Sequence, residues 1–282
     1  MSSLAKSSRR VVAVLVAVLV AVLGTAPLSA SAGPASSPAV IEAGRHSGPK
    51  PTVVLVHGAF ADSSGWTVVA ERLQDDGYPV LAFSNPLRGV EYDADYLRAF
   101  LGTIEGPIVL VGHSYGGAVI TDAATGNNQV KSLVYVAAYA LDEGESVAQA
   151  NHLGGGHAEV TDHLVLRPFP GAAQGDYDAY IDPEWFPQLF AADLPRRLAE
   201  TMAGSQRPGA LSALVTSPGE PAWESVPTWF VVATKDRIIP PVAQREMAER
   251  ADARTVEIRS SHAVMMSHPF SVLSVIKAAA RS

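Results

Sequence analysis

The residues with the best prospect of doing chemistry are Ser114, Asp236 and His262, in that order along the chain. Ser114 lies in Gly112-His113-Ser114-Tyr115-Gly116, a G-x-S-x-G pattern at the end of an apolar run and the start of a helical one. A serine hydroxyl is a weak nucleophile by itself. It attacks a carbonyl when an imidazole takes its proton, and the imidazole works best when a carboxylate orients it. Asp236 follows the apolar run 228–232, in "VVATKDRIIP", and His262 follows the run 255–258, in "VEIRSSHAVMMSHP". Each therefore falls where a parallel sheet places its functional loops, at the C-terminal strand ends. The serine pattern alone is weak, because a glycine-rich turn produces it too. A phosphate-cradling loop would bring more glycines and a Lys or Arg, and neither is here. Asp142, after the fourth strand, is a rival for the acid. His268 precedes Pro269 and reads as a helix start, and His113 reads as a support for the turn.

Attack on a carbonyl builds an oxyanion, which needs amide donors. The run 52–56 ends in His57-Gly58, where glycine lets the backbone turn its amides inward. The expected pair is the N–H of Ala59 and the N–H of Tyr115, the latter at a helix N-terminus whose dipole favours negative charge. Phe60 is expected to line the pocket, and His57 to hold the loop. Arg88 could meet a substrate carboxylate, although a solvated arginine is the commoner case.

These residues need a scaffold. Runs at 52–56, 80–83, 108–111, 132–136, 228–232 and 255–258 read as strands, and most are continuous in apolar residues, the signature of parallel strands buried on both faces. Amphipathic stretches at 66–76, 93–104, 115–124, 241–250 and 269–280 read as the helices between them. The alternation predicts an α/β architecture, a doubly wound and mostly parallel sheet. Residues 141–226 break the rhythm. So long a structureless loop is improbable in a compact domain, and a small helical cap inserted after the strand at 132–136 is the better reading. Its aromatic residues Tyr180, Trp185, Phe186, Phe190 and Trp223 are candidates to roof a pocket. Trp185 and Phe186, with Phe60, are the expected substrate-binding side chains. His152, His157, Asp162 and His163 also fall in this segment, but their spacing matches no zinc-site pattern, so no metal is expected.

Residues 1–32 read as a secretory signal peptide: Lys6, Arg9 and Arg10, then thirteen apolar residues from Val11 to Leu23, then Ala30-Ser31-Ala32. A membrane span needs about 20 apolar residues, so a stable anchor is not expected. Ser8-Arg9-Arg10-Val11-Val12 loosely matches a twin-arginine signal, and the apolar run suits the general secretory route equally well. Residues 33–49, rich in Ser, Pro, Gly and Ala, read as a flexible lead-in to a domain at 50–282. Removing residues 1–32, with three basic and no acidic side chains, takes the formal charge from −7 to −10. Such a charge disfavours nucleic acid as a partner. The chain has no cysteine, which excludes disulfides, thiol nucleophiles and thiolate metal sites.

From Pro51 onward the chain resembles the α/β-hydrolase superfamily, and within it the small esterases near plant methylesterases and hydroxynitrile lyases. "LVHGAFADSSGW", "GHSYGG", "ATKDRIIP" and "SSHAVMMSHP" carry the resemblance, the last most narrowly. It implies an enzyme that hydrolyses small-molecule carboxylic esters through an acyl-serine, with no cofactor; with the signal peptide read above, the enzyme is expected to be secreted. Members with an aspartate nucleophile are disfavoured by Ser114. The lyases carry a Thr at the position of Gly58 and a Lys at that of Ala263, so this chain departs from them. A peroxidase-like side activity, or a binder that keeps the triad, are the alternatives that the resemblance leaves open.

Overall fold

The computed structural model describes residues 49–282. The expected signal peptide, and all but the end of the lead-in, lie outside the described residues. No helix among the described residues is long and apolar enough to cross a membrane.

Six strands form one parallel sheet: β1 (Thr52–Val56), β2 (Val80–Phe83), β3 (Ile108–Ser114), β4 (Val130–Ala138), and, after a long insertion, β8 (Thr228–Ala233) and β9 (Arg254–Ile258). Their spatial order is β2-β1-β3-β4-β8-β9. The reversal from β2-β1 to β3-β4 puts the crevice at the strand ends beside β1 and β3, where the first loop and Ser114 lie. Every residue of β3 is buried, which is why its run is unbroken by polar alternation.

Successive side chains alternate between two cores, as a strand's period of two requires. Val53 and Leu55 face helices α1 (Thr67–Asp75) and α10 (Pro269–Ala279), together with Trp66, Val109 and Val111. Val54 and Val56 face the other side, with Leu110, Leu97 of α2 (Val90–Leu101), Val119 of α3 (Tyr115–Ala123) and Met247 of α8 (Pro241–Arg250). α8 and α10 both begin on proline, whose missing N–H is an orphan there in any case.

The insertion between β4 and β8 is not purely helical. It carries the short helices α4 (Val147–Ala150), α5 (Phe186–Leu189), α6 (Arg196–Gly204) and α7 (Ser212–Val215). It also carries an antiparallel sheet of β5 (Leu164–Arg167), β6 (Asp178–Ile181) and β7 (Gly209–Ala210), ordered β5-β6-β7. Four-residue strands are too short to display a period, and the Pro/Gly-rich loop 168–175 hides their pairing. Leu164 nevertheless faces Ile181, and Arg167 faces Asp178. The sheet is fixed to the main body where Arg88 Nη1 donates to Asp178 Oδ1 at 2.6 Å and the Ala210 amide donates to the Leu87 carbonyl at 3.0 Å. Arg88 also lies 4.6 Å from the Phe169 ring centroid. Its charge is thus spent within the protein, not offered to a substrate. A last short helix, α9 (Val264–Ser267), follows His262.

Candidate active site

β3 runs into α3 without a connecting loop. The turn forces Ser114 to φ +55° and ψ −127°, a backbone conformation rare for a residue with a Cβ. The neighbouring strand gives way as well. His113 pairs with Val136 and Ser114 with Ala138, so Ala137 bulges out at φ +44°. Glycine permits the close packing. A Cβ on Gly116 would lie 2.6 Å from the Val56 carbonyl oxygen, and one on Gly58 would lie 2.6 Å from the Cβ of Ser114. The first loop therefore lies directly against the serine.

Asp236 and His262, 26 residues apart in sequence, meet in the interior. His262 Nδ1 lies 2.7 Å from Asp236 Oδ2, and neither side chain is exposed. The carboxylate is fully engaged. Its Oδ1 accepts the amides of Ile238 (2.8 Å) and Ile239 (3.1 Å), and its Oδ2 also accepts Gln244 Nε2 (2.8 Å). A carboxylate fed by these donors is an acceptor for imidazole, so the proton of His262 belongs on Nδ1. The other nitrogen, Nε2, is buried and has no hydrogen-bond partner among the described residues. Asp142, the rival acid, is exposed, and its Oδ1 accepts the Glu143 amide. His268 caps α10, and its Nδ1 lies 2.9 Å from the Ser267 hydroxyl.

Behind the pair stands His113, whose Nε2 lies 3.0 Å from the His262 carbonyl oxygen, with ring centroids 4.6 Å apart. Burial first, and then the neighbouring His262, push the His113 imidazole well below its ordinary pKa. It is thereby held neutral, a donor to a carbonyl. His57 is depressed too, again chiefly by burial. Its partners assign its tautomer: Nδ1–H donates to the Gly58 carbonyl at 2.8 Å, and Nε2 accepts the Asn85 amide at 3.0 Å.

Backbone amides follow Ser114 in α3 and follow Gly58, which packs against the serine, in the first loop. Tyr115 is the first residue of α3, where an N–H has no acceptor within the helix. In the first loop, the Phe60 amide is occupied by the Arg207 carbonyl at 2.8 Å, which leaves Ala59 as the residue beside Gly58 whose donor is not claimed by that contact.

Ser114 lines a cavity of about 70 Å³ with Phe60, Tyr139, Val160, Leu164 and Ile238. A second cavity, of about 190 Å³, is lined by Phe60, Phe190, Leu198, Met202, Met265 and Met266. Phe60 is shared by both, at φ +66°. Of the other aromatic residues expected to contact substrate, Trp185 instead stacks on His163 with centroids 3.7 Å apart. Phe186 is fully buried, stacked on Phe190 at 4.8 Å. Both build the cap, and neither lines the cavity that holds Ser114.

Residues 53–274 match the model of the alpha/beta hydrolase family. The chain belongs to the α/β-hydrolase family. Among curated relatives of this hydrolase, a carbendazim hydrolyzing esterase of Nocardioides is 30% identical over 176 residues, 52% of this chain and 73% of that one. Methylesterase 17 of Arabidopsis thaliana is 23% identical over 258 residues, 82% of this chain and 92% of that one. Among solved structures, a pyrethroid hydrolase from Sphingobium faniae superposes with a TM-score of 0.69 at 22% identity, covering 82% of this chain and 98% of that one.

Several residues of the candidate site have no local sequence signature. Gln244 is recognisable as a partner of Asp236 only once α8 is folded against β8. Asp93, fully buried on α2, accepts the Tyr115 hydroxyl and the Arg88 amide. Asp193 reaches the His262 loop from the cap. The one signal that could have pointed to it is the Ser260-Ser261 doublet before His262, two hydroxyls that need partners if buried.

Proposed function

We propose that this hydrolase is a serine esterase, exported from the cell, that cleaves small carboxylic esters with apolar substituents. The observation that carries the reading is the buried His262 ring, bonded through Nδ1 to Asp236 and without a partner at Nε2 among the described residues. An imidazole held in that tautomer has its basic nitrogen free to take a proton. Ser114, in the strained turn directly after His113, is the nucleophile. As the Ser114 oxygen adds to the ester carbonyl, its proton passes to His262 Nε2, and Asp236 steadies the imidazolium. The amides of Ala59 and Tyr115 take the oxyanion, and the α3 dipole adds to them. Collapse expels the alcohol with the proton from His262. Water, deprotonated by the same nitrogen, then releases the acid and restores Ser114.

The relatives named as esterases support the reaction class. The apolar lining around Ser114 supports a hydrophobic acyl or alcohol part. Export rests on the basic, apolar and small-residue pattern of residues 1–32. The test is hydrolysis of p-nitrophenyl esters from acetate to palmitate, wild type beside Ser114→Ala. Turnover that vanishes in a folded Ser114→Ala protein is the expected result, and turnover that survives it overturns the assignment. A fluorophosphonate probe should label wild type at Ser114; a binder with an unactivated serine would label slowly or not at all.

A further inference from the structure

Among the described residues, the His262 ring makes a single hydrogen bond, to Asp236. One bond leaves a ring free to pivot about it, so the backbone that carries the ring must be fixed by other means. That backbone is tied on both sides to one strap of the cap, residues 190–193. On the N-terminal side, Asp193 Oδ2 accepts the Ser261 amide at 3.0 Å and the Ser260 hydroxyl at 2.7 Å, and Asp193 Oδ1 accepts the Ser261 hydroxyl. On the C-terminal side, the Phe190 carbonyl accepts the Ala263 amide at 3.1 Å. Between them, the Phe190 ring stands edge-on to the imidazole, with centroids 4.9 Å apart and planes at 75°. Ser260 and Ser261 are buried, so without Asp193 their hydroxyls and the Ser261 amide lose a partner that water cannot readily replace. Burial would raise the Asp193 carboxyl, but the hydroxyls of Ser261 and Ser260 and the Ser261 amide together hold it below its ordinary value. It is therefore an anion at neutral pH, and a stronger acceptor for it.

We propose that Asp193 is a positioning residue for His262: a carboxylate supplied by the cap that fixes the backbone at 260–261 and so aims the imidazole between Asp236 and Ser114. The proposal rests on the serine-esterase reading for the meaning of that aim. It makes the strap 190–193 a fixed wall of the site. Small displacements of a catalytic group are costly: about 1 Å is worth about 10²-fold in rate.

The test compares full-length Asp193→Ala and Asp193→Asn with wild type. Three readouts are used: p-nitrophenyl butyrate kinetics, the rate of fluorophosphonate labelling at Ser114, and the low-field proton resonance of the His262 Nδ1–H. In Asp193→Ala, kcat should fall about 10- to 100-fold with KM within about twofold, labelling should slow in proportion, and the resonance should broaden through faster exchange. Asp193→Asn should recover part of each, because its amide oxygen can still accept the Ser261 amide. If Asp193→Ala does not fold, Asp193→Asn decides alone, with kcat and the resonance both intermediate. A lowered melting temperature with kcat, labelling and resonance all at wild-type values would reduce Asp193 to a cap anchor and overturn the proposal. A wild type with no ester turnover, whose resonance still broadens in the variants, would sink the esterase reading and leave the positioning role standing.

Discussion

The Tyr115 hydroxyl donates to Asp93 Oδ2 at 2.8 Å, and this links the residue after the strained serine to the first turn of α2. Asp93 is fully buried, and it also accepts the Arg88 amide with both oxygens. Burial raises the Asp93 carboxyl above its ordinary value, and burial with the adjacent Asp93 pushes the Tyr115 phenol well up. The phenol therefore stays protonated, as the donor. Tyr115→Phe removes a donor from a buried carboxylate and should cost about 1–3 kcal/mol. The expected result is a lower urea midpoint with an unchanged slope. An unchanged midpoint would mean that the bond contributes nothing net.

The acid of the proposed triad can be identified by pairing two variants. Asp236→Asn should lower kcat about 10⁴-fold, because an amide opposite Nδ1 selects the wrong tautomer. Asp142→Asn, at an exposed position, should leave kcat unchanged. The reverse pattern would assign the acid to Asp142.

Phe60 stands between two cavities with a left-handed backbone that costs a non-glycine residue about 1–2 kcal/mol. Phe60→Gly removes the ring and relieves that backbone. The cavities of about 70 and about 190 Å³ should then be joined. The chain-length profile on p-nitrophenyl esters should shift toward long acyl groups relative to acetate. An unshifted profile would place substrate in the smaller cavity alone.

Stability should fall as pH drops below about 6.5. His57 and His113 have folded-state pKa values lowered by burial, whereas the unfolded chain titrates them near 6.5. Between the folded value and about 6.5 the unfolded state binds more protons, so stability rises with pH across that window and is lost on acidification through it. Carboxylates held low, such as Asp62 and Glu159, lose their contribution only in more acid solution. Thermal melts from pH 7.5 to 5.5 test this, and a flat melting temperature over that span would contradict it.

The scaffold was legible because each of its signals is local. An interior strand buried on both faces excludes polar residues, so β1 could be bounded in the sequence to the residue; β2 carries the same apolar run at the sheet edge, where Leu81 is exposed instead of buried. Pro241 and Pro269 marked two helix starts for a steric reason that needs no tertiary context. The G-x-S-x-G turn, with an Asp and a His after later strands, was legible for the same reason: chain order and strand ends suffice to nominate residues.

What the sequence alone determined, then, is a parallel α/β sheet and three candidate residues at its strand ends. The tertiary structure decided the rest, because the rest consists of contacts between segments far apart in the chain. Asp236 rather than exposed Asp142 faces His262, since only one of them is brought into the interior by β8 and α8. The cap turned out to hold a three-stranded sheet, since β5, β6 and β7 lie apart in sequence and are recognised as one sheet only by their pairing. Trp185 and Phe186 were drawn into the packing of the cap, Trp185 half-buried on His163 and Phe186 fully buried on Phe190. Asp193 met Ser260 and Ser261 across 67 and 68 positions of sequence, a distance over which no local pattern survives and only folding makes a contact.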